Sequence, residues 1–124
     1  MPKRVLIVED SPAMRQLLML AIRRFPQVEV DEVGDGVAAL KALTTSTYDV
    51  VFVDLNMPIL DGMKLIKRIR EDERYGDARI VVVTTEERPE VEKQALELGA
   101  SHYVRKPVNR RAIERVLRDV LGPE

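Results

Sequence analysis

VVFVDLNMPILDG, residues 50–62, runs four strand-forming residues straight into the carboxylate of Asp54, then into a loop built around Pro58 and Gly62. A run that is apolar at every position predicts a strand covered on both faces, because a strand with one wet face alternates. Covered strands of this kind belong to parallel sheets. The acid at the end has no helix to cap, since LNMPILDG delays the next helix by several residues. Asp54 is therefore a candidate functional residue.

The same pattern extends outward in both directions. VLIV (5–8), VEV (28–30), IVVV (80–83) and YV (103–104) are short and rich in β-branched residues, and they predict four more strands. Helical spacing fills the gaps. Met14, Leu17, Leu18, Ala21 and Ile22 form one apolar stripe; Ile66 with Ile69, Val91 with Ala95 and Leu98, and Ile113 with Val116, Leu117 and Val120 form others. Ser11 is placed to cap a helix whose first residue is Pro12, and Gly99 to close the helix over EVEKQALEL. Five strands alternating with helices predict an α/β fold with a parallel sheet. There is no longer repeat, linker or low-complexity segment, and only GPE (122–124) reads as a tail.

The 124 residues are predicted to form one domain, 1–124, with an ordinary core. A net charge of -1 gives no bulk reason to expect direct nucleic-acid binding or a membrane surface as partner. The absence of cysteine removes any disulfide framework or thiolate metal site and suits a reducing cytosol. MPKRVLIVED has a short apolar run ending in two acids, which fits neither a signal peptide nor a membrane span. The expectation is a soluble, cytoplasmic protein without membrane insertion.

Chemistry collects at the strand ends. Glu9 and Asp10 follow the first strand, Asp54 the third, Thr84 and Thr85 the fourth, and Lys106 with Pro107 the fifth. In an open parallel sheet, ligands bind beyond the carboxyl ends of the strands, where the strand order reverses. If the order is 2-1-3-4-5, the three carboxylates converge. Two carboxylates about 4 Å apart repel by roughly 4 kcal/mol at an effective dielectric near 20, and one lysine does not neutralise three. A hard divalent cation does, and Mg2+ suits a site of few carboxylates and several waters. Each residue alone has a plain structural reading: Asp10 as part of a helix cap, Thr84 as a strand threonine, Lys106 as a solvated charge. Their joint arrival on one edge favours a site. A carboxylate beside a divalent metal, with a hydroxyl and an ammonium opposite, is a phosphoryl-accepting arrangement, since aspartate attacks phosphorus to give an aspartyl phosphate.

Taken together, Glu9-Asp10, VDLNMPILDG around Asp54, VVVTT ending at Thr84 and Thr85, and YVRKP with Tyr103, Lys106 and Pro107 resemble the receiver domain of two-component response regulators. EDSPAMR, and the absence of an output domain, look most like the stand-alone chemotaxis type. The resemblance implies a flavodoxin-like sheet in the order 2-1-3-4-5, the strand order of chemotaxis receivers. It implies phosphorylation of Asp54 by a sensor histidine kinase, with Mg2+ (or another divalent cation such as Mn2+) held by Glu9, Asp10, Asp54 and the backbone carbonyl of Asn56. It also implies a phosphoryl contact from Lys106, a cis bond between Lys106 and Pro107, and a switch pair in Thr84 and Tyr103. The family's output is binding rather than a product. The acid pair here is Glu-Asp where Asp-Asp is common, and Thr85 stands where smaller residues are frequent.

Two rival readings compete. GDGVAA from Gly34 fits a dinucleotide-binding fingerprint, and Asp54 lies 20 residues on, as a ribose-binding acid would. Against it, Asp35 sets a negative charge where pyrophosphate must lie, and Glu9, Asp10, Thr84 and Lys106 are left unexplained. A phosphatase with an aspartate nucleophile needs a second acid two residues later, where this chain has Asn56. The signal is expected to leave through the fourth helix, the fifth strand and the last helix. There Tyr103 and the stripe Arg111, Arg115 and Arg118 face a downstream target, or a second copy of the chain in a phosphorylation-dependent homodimer, unless the stripe is simply a solvated face.

Overall fold

In a computed structural model of the chain, residues 2–57 and 60–123 are described. Pro58 of the predicted loop and Glu124 of the tail lie outside them. Five strands, β1 (Lys3–Val8), β2 (Val28–Val33), β3 (Val50–Val53), β4 (Arg79–Thr84) and β5 (His102–Arg105), alternate with helices. These are α1 (Pro12–Ile22), α2 (Gly36–Thr45), α3 (Gly62–Glu71), α4 (Pro89–Glu97) and α5 (Arg110–Leu121), with a 3-10 turn at Glu73–Tyr75. The strands form one sheet in the order β2-β1-β3-β4-β5, every neighbour parallel. This is the flavodoxin-like arrangement.

The apolar runs are explained by the two layers that cover the sheet. Leu6, Val8, Val51, Val53, Ile80 and Val82 point to one face and pack with Ala39, Leu43, Leu65, Ile66, Ile69 and Ala95 of α2, α3 and α4. Their neighbours Val5, Ile7, Val50, Phe52, Val81 and Val83 point to the other, against Leu18, Ile22, Ile113 and Leu117 of α1 and α5. Period-2 side chains therefore meet a core on both sides, and each full burial of such a side chain contributes about 1.5–3 kcal/mol. The edge strand β2 differs. It runs three residues beyond the predicted VEV, through Asp31, Glu32 and Val33, and is only half covered. Of the α1 stripe, Leu18 and Ile22 are buried, while Leu17 is exposed.

Local signals set the helix ends. Ser11 accepts a hydrogen bond from Met14 N (3.3 Å) with Pro12 in the first turn of α1. Gly99, at φ +110°, takes the left-handed turn after α4. Among the described residues, no helix is long and apolar enough to cross a membrane.

Gly62 fixes how closely α3 approaches the end of β3. A Cβ there would meet the backbone carbonyl oxygen of Asp54 and come within 2.7 Å of Leu55 Cα. Neither backbone atom has room to yield. Gly62→Ala is therefore expected to lower stability in urea denaturation by about 1–3 kcal/mol. Gly76→Ala is the control, because its nearest atom would be Glu73 O at 3.7 Å; it should be neutral or gain up to about 1 kcal/mol. Equal midpoints for the two variants would remove the steric argument.

Candidate functional site

Backbone bonding carries strand alignment one residue beyond the strands. Asp54 N donates to Val8 O (3.2 Å), Glu9 N to Val33 O (3.1 Å) and Lys106 N to Thr84 O (2.8 Å). With Val8 opposite Val53 and Thr84 opposite Arg105, Glu9 stands beside Asp54, and Lys106 follows directly on the β4–β5 ladder. The order reverses between β1 and β3, so the acids lie where such sheets bind ligands.

Lys106 joins the acids. Its Nζ lies 2.7 Å from Glu9 Oε1 and 3.0 Å from Asp54 Oδ2. Glu9 is only 2% exposed and Asp54 5%, whereas Asp10 is exposed. The second oxygens are also engaged. Ser11 N donates to Glu9 Oε2 (3.0 Å), and Asn56 N donates to Asp54 Oδ1 (3.0 Å). Thr84, fully buried, ends β4, and the Lys106–Pro107 peptide bond is cis.

Burial raises the Glu9 carboxyl above its ordinary value, and Asp54 adds to the rise, while bonds from Lys106 and Ser11 N pull the other way. Burial alone would lower the Lys106 ammonium, but bonds to Glu9 and Asp54 and their charges outweigh it and hold Lys106 above the usual lysine value. The two directions conflict, since one discourages and the other requires an ionised Glu9. The Lys106 direction decides, because its ammonium meets two acids at hydrogen-bond distance. The Glu9 rise then records chiefly the cost of burying its carboxylate, with the Asp54 charge adding to it, in a site that holds more acid than base.

That imbalance suits a dication. Glu9, Asp10 and Asp54 each offer a carboxylate oxygen, all within 4.8 Å of one another. Three carboxylates against one ammonium leave two negative charges, and all the donors are hard oxygens. The residues present therefore fit a divalent metal.

Other groups complete the edge. The Asn56 side chain, which in the sequence stands out only as a missing acid, reaches the fourth strand's loop: its Nδ2 lies 3.4 Å from Thr84 Oγ1 and 3.1 Å from Thr85 Oγ1. Glu86 N donates to Thr84 Oγ1 (3.3 Å), and the half-buried Tyr103 donates its hydroxyl to Glu86 O (3.0 Å). Burial, with Glu86 and Glu92 nearby, raises the Tyr103 phenol and keeps it a donor. Nothing in the sequence marks these bonds, which join loop residues to strand residues 28 and 17 positions away.

Arg111, Arg115 and Arg118 are exposed on α5, away from the acids, and Glu114 sits among them, paired with Arg24 (2.8 Å) and Arg110 (3.0 Å). His102, the single histidine, is half-buried, and its Nε2 lies 2.6 Å from Asp119 Oδ2, which Arg79 also contacts at 2.8 Å. GDGVAA forms no phosphate cradle. Asp35 caps α2 by accepting from Ala38 N (2.7 Å), and a Cβ on Gly36 would come within 2.6 Å of Leu60 O, so that glycine serves close packing.

The response regulator receiver domain family matches residues 5–118. A chemotaxis protein CheY homolog of Campylobacter jejuni subsp. jejuni is 34% identical over 120 residues, 96% of this chain and 92% of that protein. The structure of the chemotaxis protein CheY4 of Vibrio cholerae superposes with a TM-score of 0.86 at 30% identity, covering 98% of this chain and 100% of that one. The receiver domain of a sensor histidine kinase from Pseudomonas aeruginosa PAO1 superposes at 0.83 with 26% identity, over 99% of this chain and 100% of that one. That structure is described with a magnesium ion coordinated in the active site cleft.

The charge balance makes a stability prediction. Lys106→Met leaves Glu9 and Asp54 without their ammonium and should destabilise the protein in a chelator. Mg2+ binding to the folded state should then raise the urea midpoint of the variant by more than that of the parent. Equal increments would mean that the ammonium and the cation do not share the site.

Proposed function

The chain belongs to the response regulator receiver family and is CheY-like, and from that premise we propose that it is a switch set by phosphorylation of Asp54. The observation that carries the reading is the buried Asp54 carboxylate, held by Lys106 Nζ on one oxygen and Asn56 N on the other, with Glu9 and Asp10 beside it. A sensor histidine kinase supplies the phosphoryl group. An Asp54 oxygen forms the new bond to phosphorus as the bond from phosphorus to the kinase's histidine nitrogen breaks, and that imidazole keeps the electron pair.

The chain's own residues do the positioning. Lys106 holds Asp54 in place and then offers its ammonium to the phosphoryl oxygens, while Thr84, at the end of the neighbouring strand, offers its hydroxyl. Glu9, Asp10, Asp54 and the backbone carbonyl of Asn56 would hold Mg2+, or Mn2+ in its place. Bound there, the cation supplies neutralising charge for the phosphoryl oxygens. The magnesium in the Pseudomonas aeruginosa receiver supports that choice.

The output is a change in binding. As Thr84 is drawn toward the phosphoryl group, Tyr103 turns into the space behind it, and the surface of α4, β5 and α5 changes its preference for a downstream target or a second copy of the chain. The Arg111, Arg115 and Arg118 stripe fits an acidic partner surface, which would speed association at low salt.

With acetyl phosphate and Mg2+, intact-protein mass spectrometry should show one base-labile phosphoryl group, absent with a chelator and absent from that site in Asp54→Asn. Labelling of the variant at the parent's level would remove Asp54 from its role. A separate measurement tests the surface. Reversing Arg111 and Arg115 together to glutamate should leave phosphorylation intact and weaken binding to the target, or phosphorylation-dependent dimerisation, with most of the loss in on-rate. If both associations are unchanged, the stripe is a solvated face.

A further inference from the structure

Two loops that flank the acids are tied by one side chain. Asn56 belongs to the loop after β3, Thr84 is the last residue of β4, and Thr85 opens the loop that follows. The Asn56 carboxamide nitrogen reaches both hydroxyls, at 3.1 Å for Thr85 and 3.4 Å for Thr84. The Thr85 bond is the shorter, so Thr85 anchors the amide, and Thr84 shares it at the limit of hydrogen-bond length. Thr84 Oγ1 also accepts from Glu86 N at 3.3 Å. A hydroxyl oxygen has two acceptor positions, and both are taken.

Asn56 is engaged at its other end as well. Its backbone N–H donates to Asp54 Oδ1 at 3.0 Å. One residue thus connects the buried acid to the hydroxyl that ends β4 and to the one just beyond it. Both Asn56 and Thr85 are exposed, so water competes for the bond between them. A bond of this kind biases an equilibrium by a small factor and does not lock it, as a two-state element requires.

We infer that Thr85 is a positioning residue: its hydroxyl, through the Asn56 carboxamide, latches the loop after β4 to the loop after β3 and sets how readily Thr84 moves toward a phosphoryl group on Asp54. The inference rests on the reading of Asp54 as phospho-acceptor. Among the described residues the Thr85 hydroxyl bonds to Asn56 and not to Asp54, so it acts through Asn56. When Thr84 shifts, its bond from Asn56 is lost. While Thr85 holds the amide in place, the resting position of Thr84 is favoured. Without the Thr85 hydroxyl, the amide turns to water and that preference weakens.

The test uses the full chain with Thr85→Val, which keeps the branched shape and removes the hydroxyl, Thr85→Ser, which keeps the hydroxyl, Asn56→Ala, and the Thr85→Val/Asn56→Ala pair. The first readout is the Asn56 side-chain amide signals by NMR in unphosphorylated protein. They should move in Thr85→Val and stay close to the parent in Thr85→Ser. The second is the ratio of the two Tyr103 ring environments, scaled to the phosphorylated fraction by mass, with acetyl phosphate and Mg2+. Thr85→Val should shift that ratio toward the phosphorylated form by roughly two- to tenfold, Thr85→Ser should restore it, and Asn56→Ala should add nothing to Thr85→Val. Equal behaviour of Val and Ser, or fully additive effects of the pair, overturns the latch. If no variant is labelled on Asp54, the phospho-acceptor reading fails. The amide signals still decide the latch in that case, since unchanged signals in Thr85→Val overturn it.

Discussion

The ammonium of Lys106, 2.7 Å from Glu9 and 3.0 Å from Asp54, is the contact on which the rest of the site depends. Two acids that are almost wholly buried do not stand side by side without a positive charge between them. Lys106 supplies that charge from the far end of the sheet, because β5 pairs with β4 and Lys106 N continues the ladder onto Thr84 O. Its single charge still falls short of the three acids that converge there. A site so balanced is incomplete by two charges. On the proposed reading, both a dication and, later, the phosphoryl oxygens with their own negative charge are accommodated around the same ammonium.

The fold makes this crowding tolerable by placing it on rigid backbone. Val8, Val53 and Thr84 are buried strand ends, and the residues after them inherit their direction from the ladder. Gly62 presses α3 onto the Asp54 carbonyl, leaving that residue little freedom. The loop after β4 is built differently. Thr85, Glu87 and Arg88 are exposed, and Glu86 is held by local bonds to Arg88 and Thr84. Glu9 and Asp54, held by backbone bonds just beyond their strands, and Thr85, on an exposed loop, give the edge a firmly held part and a lightly held one.

Legibility in the sequence follows the same division. VLIV, VVFV and IVVV are readable as central strands because both of their faces are covered, so every position has to be apolar. The predicted β2 falls short because an edge strand admits Asp31 and Glu32 on its wet positions, and those charges look like a loop. Leu17 fits the α1 stripe by spacing, yet periodicity does not say where the covering layer ends, and that side chain lies beyond it. The convergence of Glu9, Asp10, Asp54 and Lys106 is legible from strand ends plus strand order. Which acid Lys106 meets, the reach of Asn56 to Thr85, and the Arg79–Asp119–His102 cluster are not. Each depends on side-chain length and direction across elements far apart in the chain, and no local pattern records that.

Glu86 gives the arrangement its physical direction. Its backbone N–H donates to Thr84 Oγ1, and its carbonyl accepts from the Tyr103 hydroxyl. The two groups belong to one residue, so a displacement of the Thr84 hydroxyl disturbs a backbone segment that also holds the Tyr103 ring. On the proposed reading, a phosphoryl group on Asp54 competes with Asn56 and Glu86 for Thr84. Losing the Glu86 bond frees the carbonyl side of the same residue to turn, and Tyr103 then exchanges a bond to protein for packing against the core beside it. The signal needs no long pathway through the sheet. On that reading it crosses from Asp54 to the α4–β5 surface through two hydrogen bonds and one loop residue, each worth a small factor, and that scale suits an equilibrium meant to be reversed.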